Sequence, residues 1–269
     1  MRYAICNETF GGWEHDRICG TVAELGYTGL ELAPFMFASR ITDVSAKQRT
    51  EIRQQAESAG LTVVGLHWLL AKTEGFMITS PDESIRKSTA EYLGELAKAC
   101  RDMGGSLMVL GSPLQRRIPP GTSYDQTTDY ALDTLSRMLP VLDETGVDLC
   151  LEPLAPAEAD FFNTAAEGVA MMQRLHHPKV KLHLDVKAMS SESQPVPEII
   201  RQHIGATGHF HANDANKRGP GFGEVDFKPI FAALKEGNYG GWVSVEVFDY
   251  TPDPVTIARE SIRYMRECA

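Results

Sequence analysis

The chain has 269 residues, 43% apolar and 23% charged, with a net charge of −10, and these proportions are those of an ordinary globular protein. The acidity disfavours a nucleic-acid partner, because the basic residues occur only in small clusters such as Arg116-Arg117 and Lys217-Arg218. No run of about 20 apolar residues is present to span a bilayer, and Met1-Arg2-Tyr3-Ala4-Ile5 leads directly into polar Asn7-Glu8-Thr9, so a cytoplasmic protein without membrane contact is expected.

Strand-like and helix-like stretches alternate throughout, the pattern of an α/β protein with a parallel sheet. Strands are predicted at Arg2 to Cys6, Gly29 to Leu32, Thr62 to His67, Leu107 to Leu110, Asp148 to Glu152, Lys181 to Asp185, Gly208 to His211 and Trp242 to Val247. Helices are predicted at Ala46 to Ala59, from Pro81-Asp82-Glu83 to Met103, and at Asp125 to Glu144, Thr164 to Leu175, Pro197 to His203, Phe227 to Glu236 and Asp253 to Cys268. Eight such units over this length fit one (β/α)8 TIM barrel of about 250 residues, a single domain spanning residues 1–269. The segments after the strands, among them Gly111 to Ser123, Pro153 to Asn163, Val186 to Pro195 and Ala212 to Val225, are rich in Gly and Pro. In a barrel they build the active-site face. Cys6, Cys19, Cys100, Cys150 and Cys268 show no CxxC spacing and read as reduced, packed thiols.

Four of the strands end in a residue that can bind a metal: Glu152, Asp185, His211 and Glu246. They follow one another at intervals of 33, 26 and 35 residues, about one βα unit each, so barrel closure would bring all four into one bowl. Three carboxylates and one imidazole suit Mn²⁺, Mg²⁺ or Co²⁺, with Zn²⁺ admissible. Alternation places Cys150, His183, His209 and Ser244 in a layer beneath them. The two histidines there need hydrogen-bond partners, which carboxylates directly above would supply.

The segments Leu151-Glu152-Pro153-Leu154 with Glu158 and Asn163, Leu184-Asp185, His209-x-His211 and Val245-Glu246 resemble the xylose-isomerase-like TIM barrels, most of all the sugar isomerases and ketose 3-epimerases. Leu25-Gly26-Tyr27-Thr28-Gly29-Leu30-Glu31 fits the same family. The resemblance implies one divalent metal, Mn²⁺ before the others, and a keto-sugar or related polyhydroxy carbonyl substrate. It implies Glu152 and Glu246 as opposed acid and base working through an enediolate. Glu158 would contact a hydroxyl, and Lys217 or, better, Arg218 would take the place of the family's loop arginine. A homo-oligomer is also implied. One departure is that the family's histidine three positions after the metal-binding aspartate is Ala188 here; the neighbouring Lys187 either supplies a different substrate contact or faces solvent.

Other positions admit two readings. His67 closes its strand toward the bowl as a hydroxyl contact or proton relay, or as a structural histidine. Trp13, Phe10 and Trp68 could wall a sugar or simply pack. Arg116 or Arg117 could read a phosphate or belong to a solvated loop. Arg218-Gly219-Pro220-Gly221-Phe222-Gly223 could form a flexible lid and lacks a nucleotide-binding pattern. The rival functions are a dehydratase or lyase on the same metal site, a non-catalytic sugar-binding module, and a DNA-repair endonuclease of this barrel type. The last would need extra histidines where Gly111-Ser112 and Ala188 stand.

Overall fold

Eight short apolar runs form the strands of a closed parallel barrel in sequence order, in a computed structural model that describes residues 1–269. They are β1 (Arg2–Cys6), β2 (Gly29–Leu32), β3 (Thr62–Leu66), β4 (Leu107–Leu110), β5 (Asp148–Leu151), β6 (Val180–Asp185), β7 (Thr207–Ala212) and β8 (Trp242–Val245). Between and after them run α1 (His15–Glu24), α2 (Ala46–Ser58), α3 (Glu83–Asp102), α4 (Tyr124–Thr145), α5 (Ala165–Leu175), α6 (Val186–Met189), α7 (Val196–His203), α8 (Phe227–Glu236) and α9 (Pro254–Cys268). The expected TIM barrel is thus the observed fold.

Local sequence accounts for most helix starts. Ser45, Ser123 and Thr164 each close a capping box with Gln48, Gln126 and Glu167, and Asp82, Asp226 and Asp253 cap their helices through side-chain carboxylates. Two helices went unpredicted. α1 has no side-chain cap, carries Gly20 in its middle and buries only Ile18, Cys19 and Val22, so its start carries no capping signal. α6 is a single turn inside the loop after β6, nucleated by Asp185 accepting a hydrogen bond from the Ala188 amide.

The register of the second half of the barrel sets the height of the site. His183 lies level with His209, Asp185 with His211, and His211 with Ser244. Ala4, Val64, Leu107, Val109, Cys150 and Trp242 form a separate small apolar cluster. Cys150 and Ala4 in it lie two residues below Glu152 and Cys6, so the cluster closes the barrel under a polar layer.

Candidate metal centre and active site

Glu152, Asp185, His211 and Glu246 converge at the barrel mouth, all buried. Ligand-capable atoms of Glu152, His183, Asp185 and His211 lie within 4.8 Å of one another, and His211 Nδ1 is 3.1 Å from Glu246 Oε2. Each carboxylate is held differently. Asp185 accepts from the Ala188 amide at 2.7 Å and from Asn213 Nδ2 at 2.5 Å, while Asn213 Oδ1 accepts from the Lys187 amide at 2.8 Å. Glu246 Oε1 accepts from Trp68 Nε1 at 2.7 Å and lies 3.3 Å from His67 Nδ1. Glu152 has no such donor, His183 Nε2 standing 4.0 Å from its Oε1.

The electrostatics follow from these partners. Burial and the Glu246 and Asp185 charges push the Glu152 carboxyl up to about 8. Burial also raises Asp185. Burial would raise Glu246 too, but the imidazoles of His211 and His67 bring it well below the usual carboxylate range. Three carboxylates sharing one dry bowl, one of them without a hydrogen-bond donor, fit a divalent cation, and the oxygen-rich donor set with one imidazole fits a hard ion.

The second layer departs from expectation. His209 finds its partner not in a carboxylate above it but in Glu31 from β2, at 2.8 Å. Neither ring nitrogen of His183 has a hydrogen-bond partner, and burial together with His211 and His209 pushes its imidazole well below the ordinary value. The geometric reason is that ligand and underlying histidine on one strand stand side by side, whereas barrel closure brings Glu31 in from the opposite wall.

A pocket opens above the centre, and Glu152, Glu158, Lys187, Glu246, His67, Trp68 and Phe248 are among its lining residues. Lys187 Nζ donates to both Glu158 oxygens, at 2.7 and 2.6 Å, and lies 4.5 Å from the Phe248 ring centre. Burial opposes its charge, but Asp185 and Glu158 outweigh burial and push the ammonium up. Thus Lys187 points into the pocket and away from solvent. His67 bridges two carboxylates, with Nε2 2.9 Å from Glu8 Oε2 on its far side. Trp68 has a φ of 53°, a left-handed conformation uncommon for a bulky residue, and its indole donates to Glu246. Gly111 is required by the site, because a Cβ there would overlap the Glu152 carboxylate.

Two proposed substrate contacts lie elsewhere. Trp13 packs on Phe10 and under the Arg17 guanidinium and lines a separate recess with Asn7, Phe35 and Lys72 rather than this pocket. Arg218 is engaged by Asp249 at 2.9 Å and does not line the pocket. Arg116 reads neither phosphate nor solvent: its buried guanidinium donates to the carbonyls of Glu152 and Leu110 at 2.6 and 2.5 Å, while Arg117 is exposed. Sequence reasoning assigned no role to Glu8, Glu31 or Asn213. Glu31 carried a signal, a carboxylate in the apolar strand Gly29–Leu32, where an unpaired charge would be costly.

A family model described as a xylose isomerase-like TIM barrel matches residues 19–268. The D-psicose 3-epimerase of Ruminiclostridium cellulolyticum is 30% identical over 84% of this chain and 76% of its own length. The 3-dehydro-D-guloside 4-epimerase of Escherichia coli is 24% identical, with 92% of each chain covered. A crystal structure of D-psicose 3-epimerase with D-tagatose, from Clostridium cellulolyticum H10, superposes with a TM-score of 0.86 at 23% identity, covering 100% of this chain and 99% of that one.

Proposed function

The chain belongs to the xylose isomerase-like TIM barrel family and is an enzyme of the isomerase class, and from that premise we propose that it is a divalent-metal-dependent epimerase of a keto-sugar or related polyhydroxy carbonyl compound. The observation that carries this reading is the pair Glu152 and Glu246, which line one pocket together but are held in opposite ways. Glu246 accepts from Trp68 Nε1 and lies 3.3 Å from His67 Nδ1, whereas Glu152 has no hydrogen-bond donor. With the two carboxylates at the ends of separate strands and facing one pocket, one can take a proton and the other return one.

Glu152, Asp185, His211 and Glu246 would hold the ion, which when bound supplies Lewis-acid stabilisation of negative charge on a substrate oxygen. Glu246 removes the proton from the carbon beside the carbonyl, and the electron pair moves onto the carbonyl oxygen as an enediolate. Glu152 returns a proton on the other face, inverting that centre. β5 and β8 stand three positions apart around the eight-stranded ring, which suits opposed faces.

Lys187 and Glu158 take the substrate end that Ala188 vacates, the ammonium donating to one substrate oxygen and the carboxylate accepting from a hydroxyl. Lys187 is the one cation of the Lys or Arg type lining the pocket and Glu158 already matches its charge, which favours an unphosphorylated sugar. Phe248 and Trp68 offer apolar surface to the sugar's C–H faces.

The test is to incubate Mn²⁺-loaded protein with a panel of ketoses in D₂O and follow the products by NMR. Deuterium is expected at a carbon adjacent to the carbonyl, together with the epimer, and both are expected to disappear in Glu246→Gln. Elimination products would replace the proposal with the lyase reading, and no exchange with any ketose would overturn it.

A further inference from the structure

Glu31 is among the most enclosed charged groups of the protein, with no exposure, and it lies on β2, across the barrel from the ligand-bearing strand β7. It has no Lys or Arg partner. Its Oε2 lies 2.8 Å from His209 Nε2 and 3.2 Å from His211 Nε2, and its Oε1 lies 3.1 Å from His211 Nε2. Both partners sit about 180 residues along the chain, joined to it only by barrel closure. A carboxylate accepts and cannot donate, so each imidazole must carry its hydrogen on the Nε2 that faces Glu31. In His211 that leaves Nδ1 as the atom directed at the ligand cluster, 3.1 Å from Glu246 Oε2. Glu31 does not line the pocket and its two oxygens are occupied by imidazoles, so it is available neither to substrate nor to the ion.

We propose that Glu31 is a positioning residue for the metal centre: clamped by His209, it locks the ring of His211 with Nε2–H turned inward and Nδ1 presented to the ion. The inference rests on the reading of His211 as a metal ligand. Carboxylate–imidazole pairs of this kind fix ring orientation and raise ligand basicity, and losing the carboxylate typically costs about 10–100-fold in metal affinity. Neutralising Glu31 leaves an amide that cannot accept from both imidazoles as a charged group does, while the volume of the buried site is preserved.

Calorimetric titration of metal-free protein with Mn²⁺ tests this. Glu31→Gln should bind Mn²⁺ about 10–100-fold more weakly than wild type, and Glu31→Asp, which keeps the charge, should recover part of the loss. A Glu31→Gln protein that keeps the wild-type circular dichroism spectrum and binds Mn²⁺ with unchanged affinity overturns the proposal, whatever its melting temperature. Should Glu31→Gln fail to fold, the wild type decides the matter. With ¹⁵N-labelled histidine and diamagnetic Zn²⁺, the coordination shift should appear on Nδ1 of His211 with the Nε2 proton retained, and coordination through Nε2 overturns it. A wild type that binds no divalent ion overturns the metal reading as well, whereas normal wild-type binding with an unaffected Glu31→Gln removes only the role of Glu31.

Discussion

The two halves of the barrel mouth carry different kinds of residue. Strands β5 to β8 carry Glu152, Asp185, His211 and Glu246 at or next to their C-terminal ends, the groups proposed to hold the ion. The β1 to β4 half contributes Glu8, Glu31, His67 and Trp68, and three of these touch the first group: Trp68 and His67 on Glu246, Glu31 on His211. In the proposed reading the β5 to β8 half supplies the reactive groups and holds Asp185 through Ala188 and Asn213, while the other half steadies Glu246 and His211. A site divided in this way should lose chemistry when the first half is altered, and lose affinity or geometry when the second is.

Glu152→Gln should show the largest effect and reveal which carboxylate is the acid. Epimer formation should fall about 10²–10⁴-fold, the usual worth of a positioned acid or base. Solvent deuterium should still enter the starting ketose, because Glu246 continues to remove and return the proton on its own face. Loss of exchange together with epimerisation would show that Glu152 is needed for abstraction as well, and the assignment of the two roles would fall.

Trp68→Phe tests the supporting half. It removes the 2.7 Å donor from Glu246 while retaining an aromatic wall. A hydrogen bond to a charged group is worth about 1.5–3 kcal/mol, so kcat should drop roughly 10–100-fold with KM little changed. A fall as deep as that of Glu246→Gln would erase the distinction between the halves. An unchanged kcat would mean that His67 suffices to hold Glu246.

The same division separates what was legible in the sequence from what was not. β1, β2, β4 and α8 fall on their expected residues, because continuous apolar runs and capped stripes are local signals. The four strand-end groups were legible because a metal-binding residue recurs at βα spacing, so each occurrence strengthens the others. Glu31 and Asn213 act through contacts that no periodicity encodes: Glu31 meets β7 only when the barrel closes, and Asn213 bridges Asp185 to the Lys187 amide across a loop. Trp13 and Trp68 look alike in sequence, each an aromatic just past a strand. Trp13 lines a separate recess with Phe35 and Lys72, whereas Trp68, at a left-handed φ, donates to Glu246.

The smallest expected effect is a dependence of metal-free stability on pH in which two sets of groups, each drawn from both halves, behave in opposite senses. Glu246 and Glu31 lie well below the usual carboxylate range, because the neighbouring imidazoles outweigh burial; the stability they add is complete above the ordinary carboxylate pKa and is lost only in acid. Glu152 behaves in the opposite sense. Burial and its carboxylate neighbours raise it to about 8 from an ordinary 4.5, so the folded chain holds a proton that the unfolded chain has released. Its contribution is full below pH 4.5 and declines as pH rises through 8. His67 and His211, raised by Glu8 and Glu31 against burial, lose their contribution in the same upward direction. Between about pH 7 and 8 the first pair is already ionised and the lowered imidazoles of His183 and His209 are largely neutral in the folded and unfolded chain alike, so the melting temperature of metal-stripped protein should fall across this window. Saturating Mn²⁺ should reverse the trend, because ligands must be deprotonated to bind and affinity rises with pH. Calorimetric melts at half-unit pH steps, with and without Mn²⁺, measure both slopes, and a metal-free melting temperature that rises with pH through the window would show that Glu152, His67 and His211 do not together hold extra protons in the folded chain.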